Sequence, residues 1–174
     1  MNKVIYTIGH SDHDPKTFIG LLEKYKIQAL IDVRSSPYSS YVKHFNKEIL
    51  KNFLYKHRID YFYGGQYMGG KPSDETIMRD GKIDFELLRK KESYQKGLKV
   101  LQKLINLKIV VIMCSEEAPE KCHRTKLIIP DLLNAGYEVR NIRSDGSYEV
   151  AQLPPVQLEI PPKEIQSPED ITTL

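Results

Sequence analysis

The sequence contains no tryptophan and only two cysteines, and no apolar run approaches the roughly 18 residues that a membrane-spanning helix requires. The first residues lack the basic and apolar segments of a secretory signal peptide. We therefore expect a cytoplasmic protein with no membrane association. Disulfides are rare in that compartment, so both cysteines are expected to be reduced thiols.

The sequence also lacks a strong charge of one sign. Its 26 Lys and Arg residues nearly balance its 23 Asp and Glu residues, which leaves a net charge of +3. That charge permits an anionic ligand, but a dedicated nucleic-acid-binding protein usually has a concentrated basic stripe. The basic density is highest around the second predicted helix, at Lys43, His44, Lys47, Lys51, Lys56 and Arg58. A nucleic-acid-binding module without catalysis is therefore kept as an alternative function.

Several motifs that would indicate a particular reaction or cofactor are missing. Neither a Walker loop nor a G-x-G-x-x-G motif is present. A tyrosine-phosphatase-like loop needs an arginine six residues after its cysteine, but Glu120 and Ile128 stand at that distance from Cys114 and Cys122. A structural zinc site usually has four ligands in paired spacings. The two cysteines and His123 supply three, with His10 as a conceivable fourth, and from so weak a signal we predict no metal site.

Short apolar runs alternate with segments of helical periodicity, which is typical of an α/β fold. Strands are predicted at residues 3–9, 29–33, 59–63, 108–113 and 137–142. Helices are predicted to begin at the capping residues Asp14 and Asn46 and to span 92–106 and 123–135, whereas 72–91 is ambiguous.

From these elements we expect a single α/β domain over residues 1–150. It should have three layers, with a mostly parallel central sheet of about five strands flanked by helices. The prolines from Pro154 onward cannot lie inside a helix or a central strand, so residues 151–174 are predicted to be an extended tail.

Reactive side chains follow several of the predicted strands. His10 and Ser11 follow the first strand, Arg34 the second, and Cys114 and Glu116 the fourth. In an open α/β sheet, ligands bind beyond the carboxyl ends of parallel strands. We therefore expect one pocket that gathers His10, Ser11, Arg34, Cys114, Glu116, Cys122, His123 and Arg124.

Within that pocket His10 or Glu116 would transfer protons. Cys122 is a candidate nucleophile, because a thiol near a helix start and beside His123 and Arg124 would have a lowered pKa. The alternative is that His123 and Arg124 bind the Glu116-Glu117 loop and only hold it in place. Cys114 could equally be a small buried hydrophobic residue, and a nearby carboxylate would raise its pKa.

The two arginines have two possible partners each. Arg34 could form an ion pair with Asp32 or bind an anion through its planar guanidinium group. We expect Arg34 mainly to face a ligand, and Arg124 to be partly structural because the acidic residues Glu116, Glu117 and Glu120 precede it.

A glycine-rich segment at residues 64–72 is predicted to be a loop. Lys71 and the backbone amides of this loop could bind phosphate, or the loop could be a plain flexible connection. Tyr61, Tyr63 and Tyr67 lie around it and could stack on a base or simply pack against the domain.

Taken together, five motifs of the chain resemble the domain of unknown function 488. They are Thr7-Ile8-Gly9-His10-Ser11, Leu30-Ile31-Asp32-Val33-Arg34 followed by Pro37, Met68-Gly69-Gly70, Met113-Cys114-Ser115-Glu116, and Cys122-His123-Arg124. The resemblance covers about residues 3–143. It implies a compact cytosolic α/β domain, mostly prokaryotic, and no established reaction, so it assigns no residue a role.

The sequence thus favours an enzyme or ligand-binding domain that acts on an anionic, phosphorylated or nucleotide-like substrate. A nucleic-acid-binding module and a structural or partner-binding protein are the alternatives. The cofactor and the oligomeric state are left open.

Overall fold

A computed structural model describes residues 3–71 and 74–153. In chain order the strands are β1 (Val4–Gly9), β2 (Ala29–Asp32), β3 (Asp60–Tyr63), β4 (Met78–Arg79), β5 (Lys82–Ile83), β6 (Val110–Cys114), β7 (Glu138–Ile142) and β8 (Tyr148–Val150). The α-helices are α1 (Pro15–Lys24), α2 (Lys47–Lys56), α3 (Gly65–Met68), α4 (Phe85–Lys90), α5 (Glu92–Leu107) and α6 (Ile129–Asn134). Short 3₁₀ helices span Lys43–Phe45, Glu75–Ile77 and Pro119–Lys121, and a π-helix spans Arg124–Ile128.

The main sheet has six strands in the order β3-β2-β6-β1-β7-β8. All its neighbouring strands are parallel except the edge strand β8, which runs antiparallel to β7. The register places Gly9 opposite Cys114, and Asp32 opposite Met113. Strands β1, β2 and β6 therefore end at the same level, which is where ligands bind in sheets of this type.

Helices cover both faces of the sheet. On one face, α5 and α6 bury Leu98, Leu101 and Leu132 against the strands. On the other face, α1 and α2 bury a second apolar cluster that contains Phe18 and Leu54. The expected single three-layer α/β domain with a mostly parallel sheet is confirmed, and the sheet has six strands rather than about five.

The two predicted helix caps behave differently. The carboxylate of Asp14 accepts hydrogen bonds from the backbone N–H groups of Lys16 and Thr17, and so caps α1 as predicted. Asn46 precedes α2, but its side chain does not cap the helix. Its amide oxygen instead accepts a hydrogen bond from the backbone of Ser39 at 2.7 Å, which ties down the loop that follows β2.

The predicted helix at 123–135 is two helices of different winding. A π-helix over Arg124–Ile128 runs directly into α6, which has Pro130 in its first turn. A proline has no backbone N–H to donate to the preceding turn, so carbonyls there need other partners. Arg89 donates to the carbonyl of Lys126, and the Tyr94 hydroxyl donates to that of Leu127.

The ambiguous span contains a short antiparallel pair, β4 and β5, followed by α4. The predicted glycine-rich loop contains the short helix α3. Of the expected tail at 151–174, residues 154–174 lie outside the described residues. Within the described ranges, no helix has the length and apolar character needed to cross a membrane.

Candidate functional site

A cleft of about 570 Å³ lies beyond the carboxyl ends of β2 and β6. Its lining comes from the segments after both strands, the glycine-rich segment and the π-helix region: Arg34, Ser35, Ser36, Gly70, Lys71, Phe85, Cys114, Ser115, Glu116, Lys121, His123 and Lys126. Four of these side chains are basic and one, Glu116, is acidic, so the formal charge of the wall is +3.

The backbone joins the segments that follow β1 and β6. The N–H groups of His10 and Ser11 donate to the carbonyls of Cys114 and Ser115 at 2.9 and 2.8 Å, which continues the sheet pairing past both strands. Gly9 allows this approach, because a Cβ at that position would lie 1.9 Å from the carbonyl oxygen of Glu116. The two motifs are therefore held side by side.

Arg34 forms a buried ion pair with Asp32. Its Nε and Nη2 groups donate to the two carboxylate oxygens of Asp32 at 2.8 and 2.6 Å, and Nη2 also donates to the carbonyl of Phe45. The Tyr61 hydroxyl donates to the same carboxylate at 2.8 Å. Of the two interpretations of the sequence, the ion pair is the arrangement that the structure has, and Arg34 also lines the cleft.

His10 is hydrogen-bonded to Arg34. Its Nδ1 lies 2.8 Å from the carbonyl oxygen of Ser11, which can only accept, so Nδ1 carries the proton. Nε2 is then an acceptor for Nη1 of Arg34 at 3.2 Å. Burial, aided by the charge of Arg34, lowers the pKa of His10 to about 4, so the imidazole is neutral near pH 7. His10 does not line the cleft.

Cys114, Cys122 and His123 form a compact cluster, and both cysteines are free thiols. Nδ1 of His123 lies 3.5 Å from Sγ of Cys114 and 3.8 Å from Sγ of Cys122. Nε2 of His123 lies 3.1 Å from the carbonyl oxygen of Met68. Since that carbonyl can only accept, Nε2 carries the proton and Nδ1 presents its lone pair to the two sulfur atoms.

The surroundings of the two thiols differ. The pKa of Cys122 is lowered, chiefly by its contact with the Cys114 thiol and further by the charge of the nearby Arg124. The pKa of Cys114 is raised by that same contact, by burial and by the Glu116 carboxylate. Burial would raise the pKa of Glu116, but hydrogen bonds, the largest from Cys114, outweigh burial and lower it.

Arg124 holds the loop that follows β6. Its side chain is buried, and it donates to the backbone carbonyls of Glu116 at 2.7 Å and Glu117 at 3.0 Å rather than to their carboxylates. Its Nε has no hydrogen-bond partner among the described residues. Arg124 is thus anchored by main-chain oxygens, not by the acidic side chains on which the expectation rested.

The glycine-rich segment is packed against the site. A Cβ on Gly70 would lie 2.5 Å from the His123 ring, and the backbone N–H of Lys71 donates to the Ser35 hydroxyl at 2.8 Å. The Tyr63 hydroxyl donates to the carbonyl of Ser35 at 3.0 Å. These contacts favour a fixed wall over a flexible connection.

The predicted site residues divide into two groups. Arg34, Lys71, Cys114, Glu116 and His123 line the cleft. The remaining four lie at the same edge of the sheet but are not part of the wall: His10, Ser11, Cys122 and Arg124.

The wall also contains basic residues that the sequence reasoning missed. Lys121 and Lys126 both line the cleft. They flank the Cys122-His123-Arg124 motif in sequence, and this clustering of basic residues around the motif is a sequence signal for a place in the cleft.

The sequence profile of the family described as domain of unknown function DUF488 matches residues 14–128. The chain belongs to this family. The match includes the segments after β2 and β6 that line the cleft, but begins after Ser11 and ends before β7. In this DUF488 protein the segment after β1 precedes the matched residues. It is nevertheless joined to them by the backbone hydrogen bonds that His10 and Ser11 donate. No curated protein and no solved structure matches the chain.

Proposed function

We propose that the cleft binds an anionic small molecule, phosphorylated or nucleotide-like, and that the protein acts on this ligand as an enzyme or a ligand-binding domain. The observation that carries the proposal is the excess of four basic side chains over one acidic side chain in the cleft. The cleft lies at the carboxyl edge of parallel strands, which supports the same conclusion.

The charge comes from two kinds of group. Arg34 is buried, its charge is offset by Asp32, and four of its five N–H groups are engaged, so it offers a ligand one N–H of Nη1 in a fixed direction. Lys71, Lys121 and Lys126 are exposed, and no carboxylate lies within salt-bridge distance of them in the described chain. These ammonium groups supply the net attraction for an anion, and it weakens as salt rises.

The size of the cleft also supports a small molecule. Its volume of about 570 Å³ lies within the range of roughly 300–1,000 Å³ that is typical of small-molecule sites. The hydroxyls of Ser35, Ser36 and Ser115 on the wall are additional hydrogen-bond donors for phosphate oxygens.

The wall offers Glu116 for proton transfer, because it is the acidic side chain among the lining residues. His10 would act indirectly, by accepting a hydrogen bond that positions Arg34. Between the two cysteines, Cys114 is the one on the wall, but its raised pKa makes it a poor nucleophile, so the cleft presents no activated thiol directly to the ligand.

Calorimetric titration with inorganic phosphate, AMP and ATP, in the presence of a chelator, tests the proposal. We expect at least one of these probes to bind with 1:1 stoichiometry. The double variant Lys121→Met/Lys126→Met should weaken that binding by at least about tenfold, or about 1.4 kcal/mol.

The matched control is Lys99→Met/Lys103→Met, which removes the same charge from α5, where neither lysine lines the cleft. It should leave the affinity unchanged. Absence of binding by all three probes, or an equal loss in both double variants, would contradict an anion site in the cleft. Preferential binding of a single-stranded oligonucleotide would favour the nucleic-acid alternative instead.

A further inference from the structure

The cluster of Cys114, Cys122 and His123 has the dimensions of a metal site. All three potential ligand atoms lie within 4.8 Å of one another, and the two sulfur-to-nitrogen distances are 3.5 and 3.8 Å. Tetrahedral zinc with Zn–S of about 2.3 Å and Zn–N of about 2.1 Å places its sulfur and nitrogen ligands about 3.6 Å apart. The two sulfur-to-nitrogen distances therefore match those of a zinc site.

The histidine is oriented as a ligand. Its Nε2–H donates to the carbonyl oxygen of Met68 at 3.1 Å, which leaves the lone pair of Nδ1 facing both sulfur atoms. Metal-bound histidines almost always donate their other ring N–H to a carbonyl or a carboxylate. Gly70 lies directly against the ring and fixes it further, since a Cβ there would lie 2.5 Å from Cγ of His123.

One sulfur atom is also prepared for a negative charge. The backbone N–H of Arg124 lies 3.5 Å from Sγ of Cys122 and donates to it. Hydrogen bonds of this kind stabilise thiolates, the form of cysteine that binds metals.

The fourth position of such a site opens into the cleft. Cys114 and His123 line the cleft, and the carboxylate of Glu116 lies 3.2 Å from Sγ of Cys114. Three protein ligands with a fourth position for water or substrate are typical of catalytic zinc sites, whereas structural sites have four protein ligands. The missing fourth ligand, which argued against structural zinc, is thus compatible with a zinc ion of the open type.

We propose that Cys114, Cys122 and His123 bind one zinc ion in the wall of the cleft, with its fourth position open to the cleft. Thiolate and imidazole ligands favour zinc over the hard ions magnesium and calcium, which prefer oxygen ligands. The charge of the ion would be balanced by the two thiolates. This inference is independent of the anion proposal, because it rests on three side chains that bind without any of the lysines.

The test uses the full chain without an affinity tag, reduced with a phosphine and stripped of metal. Calorimetric titration with zinc should give one equivalent per chain, and cobalt should produce the absorption bands of tetrahedral thiolate coordination. Zinc should protect both cysteines from alkylation. Binding of less than about 0.2 equivalents of zinc, or cobalt spectra without a thiolate band, would overturn the proposal in the unaltered protein.

Variants then assign the ligands. Cys122→Ser and His123→Gln should each weaken zinc binding at least a hundredfold, whereas His57→Gln, a surface histidine bonded to Glu23, should not change it. Zinc binding that survives in Cys114→Ser/Cys122→Ser would overturn the assignment. If a variant does not fold, the stoichiometry, the cobalt spectrum and the protection of the unaltered protein still decide the question. The anion titration, made with a chelator present, fails or succeeds separately.

Discussion

At the scale of single residues, the site consists of polar groups that hold one another in place. Asp32 is fully buried, and its carboxylate accepts from Arg34 and from Tyr61. The sequence offered both an ion pair and an anion-binding role for Arg34. It could not decide between them, because the direction of a side chain just past a strand depends on how the backbone turns there. The contact of Arg34 with the carbonyl of Phe45 fixes that turn.

The ion pair leads to a prediction of stability. Arg34→Met leaves the buried Asp32 carboxylate without its cation and should lower the free energy of unfolding by about 3–5 kcal/mol. Arg124→Met frees two backbone carbonyls that are only part-buried, so water offsets some of the loss, and it should cost about 1–3 kcal/mol. Arg143→Met, which removes partly exposed ion pairs with Glu117 and Glu149, should cost less than about 1 kcal/mol. Denaturant unfolding of the three variants measures these values, and a larger loss for Arg124 than for Arg34 would contradict the assigned roles.

His10 predicts a pH dependence. Its pKa of about 4 in the folded protein lies below the value of about 6.5 in an unfolded chain, so the unfolded state binds a proton first as the pH falls. Stability from the neutral imidazole is complete above pH 6.5 and is lost toward pH 4. Between pH 7 and pH 5 the loss should be about 2 kcal/mol.

The variant His10→Gln separates this effect from other titrations. Glutamine keeps a donor and an acceptor but does not titrate in this range. The difference in unfolding free energy between the natural protein and the variant should therefore shrink by about 2 kcal/mol between pH 7 and pH 5. A difference that is the same at both values would show that His10 titrates normally in the folded protein.

At the scale of elements, the sequence predicted best where burial was complete. Every residue of β2 and β6 is buried, and both strands were recognised as apolar runs. Strand β8 was missed because all three of its residues are exposed and it lies at the sheet edge. A sequence pattern reports burial, so an exposed edge strand leaves no such signal. The π-helix was missed for another reason, since two of its carbonyls, those of Lys126 and Leu127, accept hydrogen bonds from Arg89 and Tyr94 in a distant segment.

At the scale of the whole molecule, the sheet explains why distant motifs meet. Strands β1, β2 and β6 end at one level, so the rule for carboxyl ends brought Arg34, Cys114 and Glu116 to one edge from sequence alone. The rule does not predict whether a side chain at that edge reaches the surface of the cleft. Whether a side chain forms the wall, as His123 does, or lies behind it, as His10 does, depends on packing between segments far apart in the chain.

The boundary of the domain gives the last prediction. The backbone N–H of Ala151 donates to the carbonyl of Val139 at 2.8 Å, which closes the pairing of β8 with β7. Truncation after Ala151 removes only the Pro-rich segment, which can contribute few sheet hydrogen bonds because proline lacks the donor. The melting temperature should fall by no more than about 4 °C, the effect of about 1 kcal/mol in a chain of this size.

Truncation after Ser147 is the matched control, because it also removes β8 and the packing of Arg140 on the ring of Tyr148. It exposes the edge of β7, where Val139 and Ile142 are buried, and should lower the melting temperature clearly further. Thermal unfolding of both truncated proteins makes the comparison. Insoluble protein after the shorter truncation, or a fall of more than about 10 °C, would mean that the Pro-rich segment covers apolar surface of the domain and belongs to the fold.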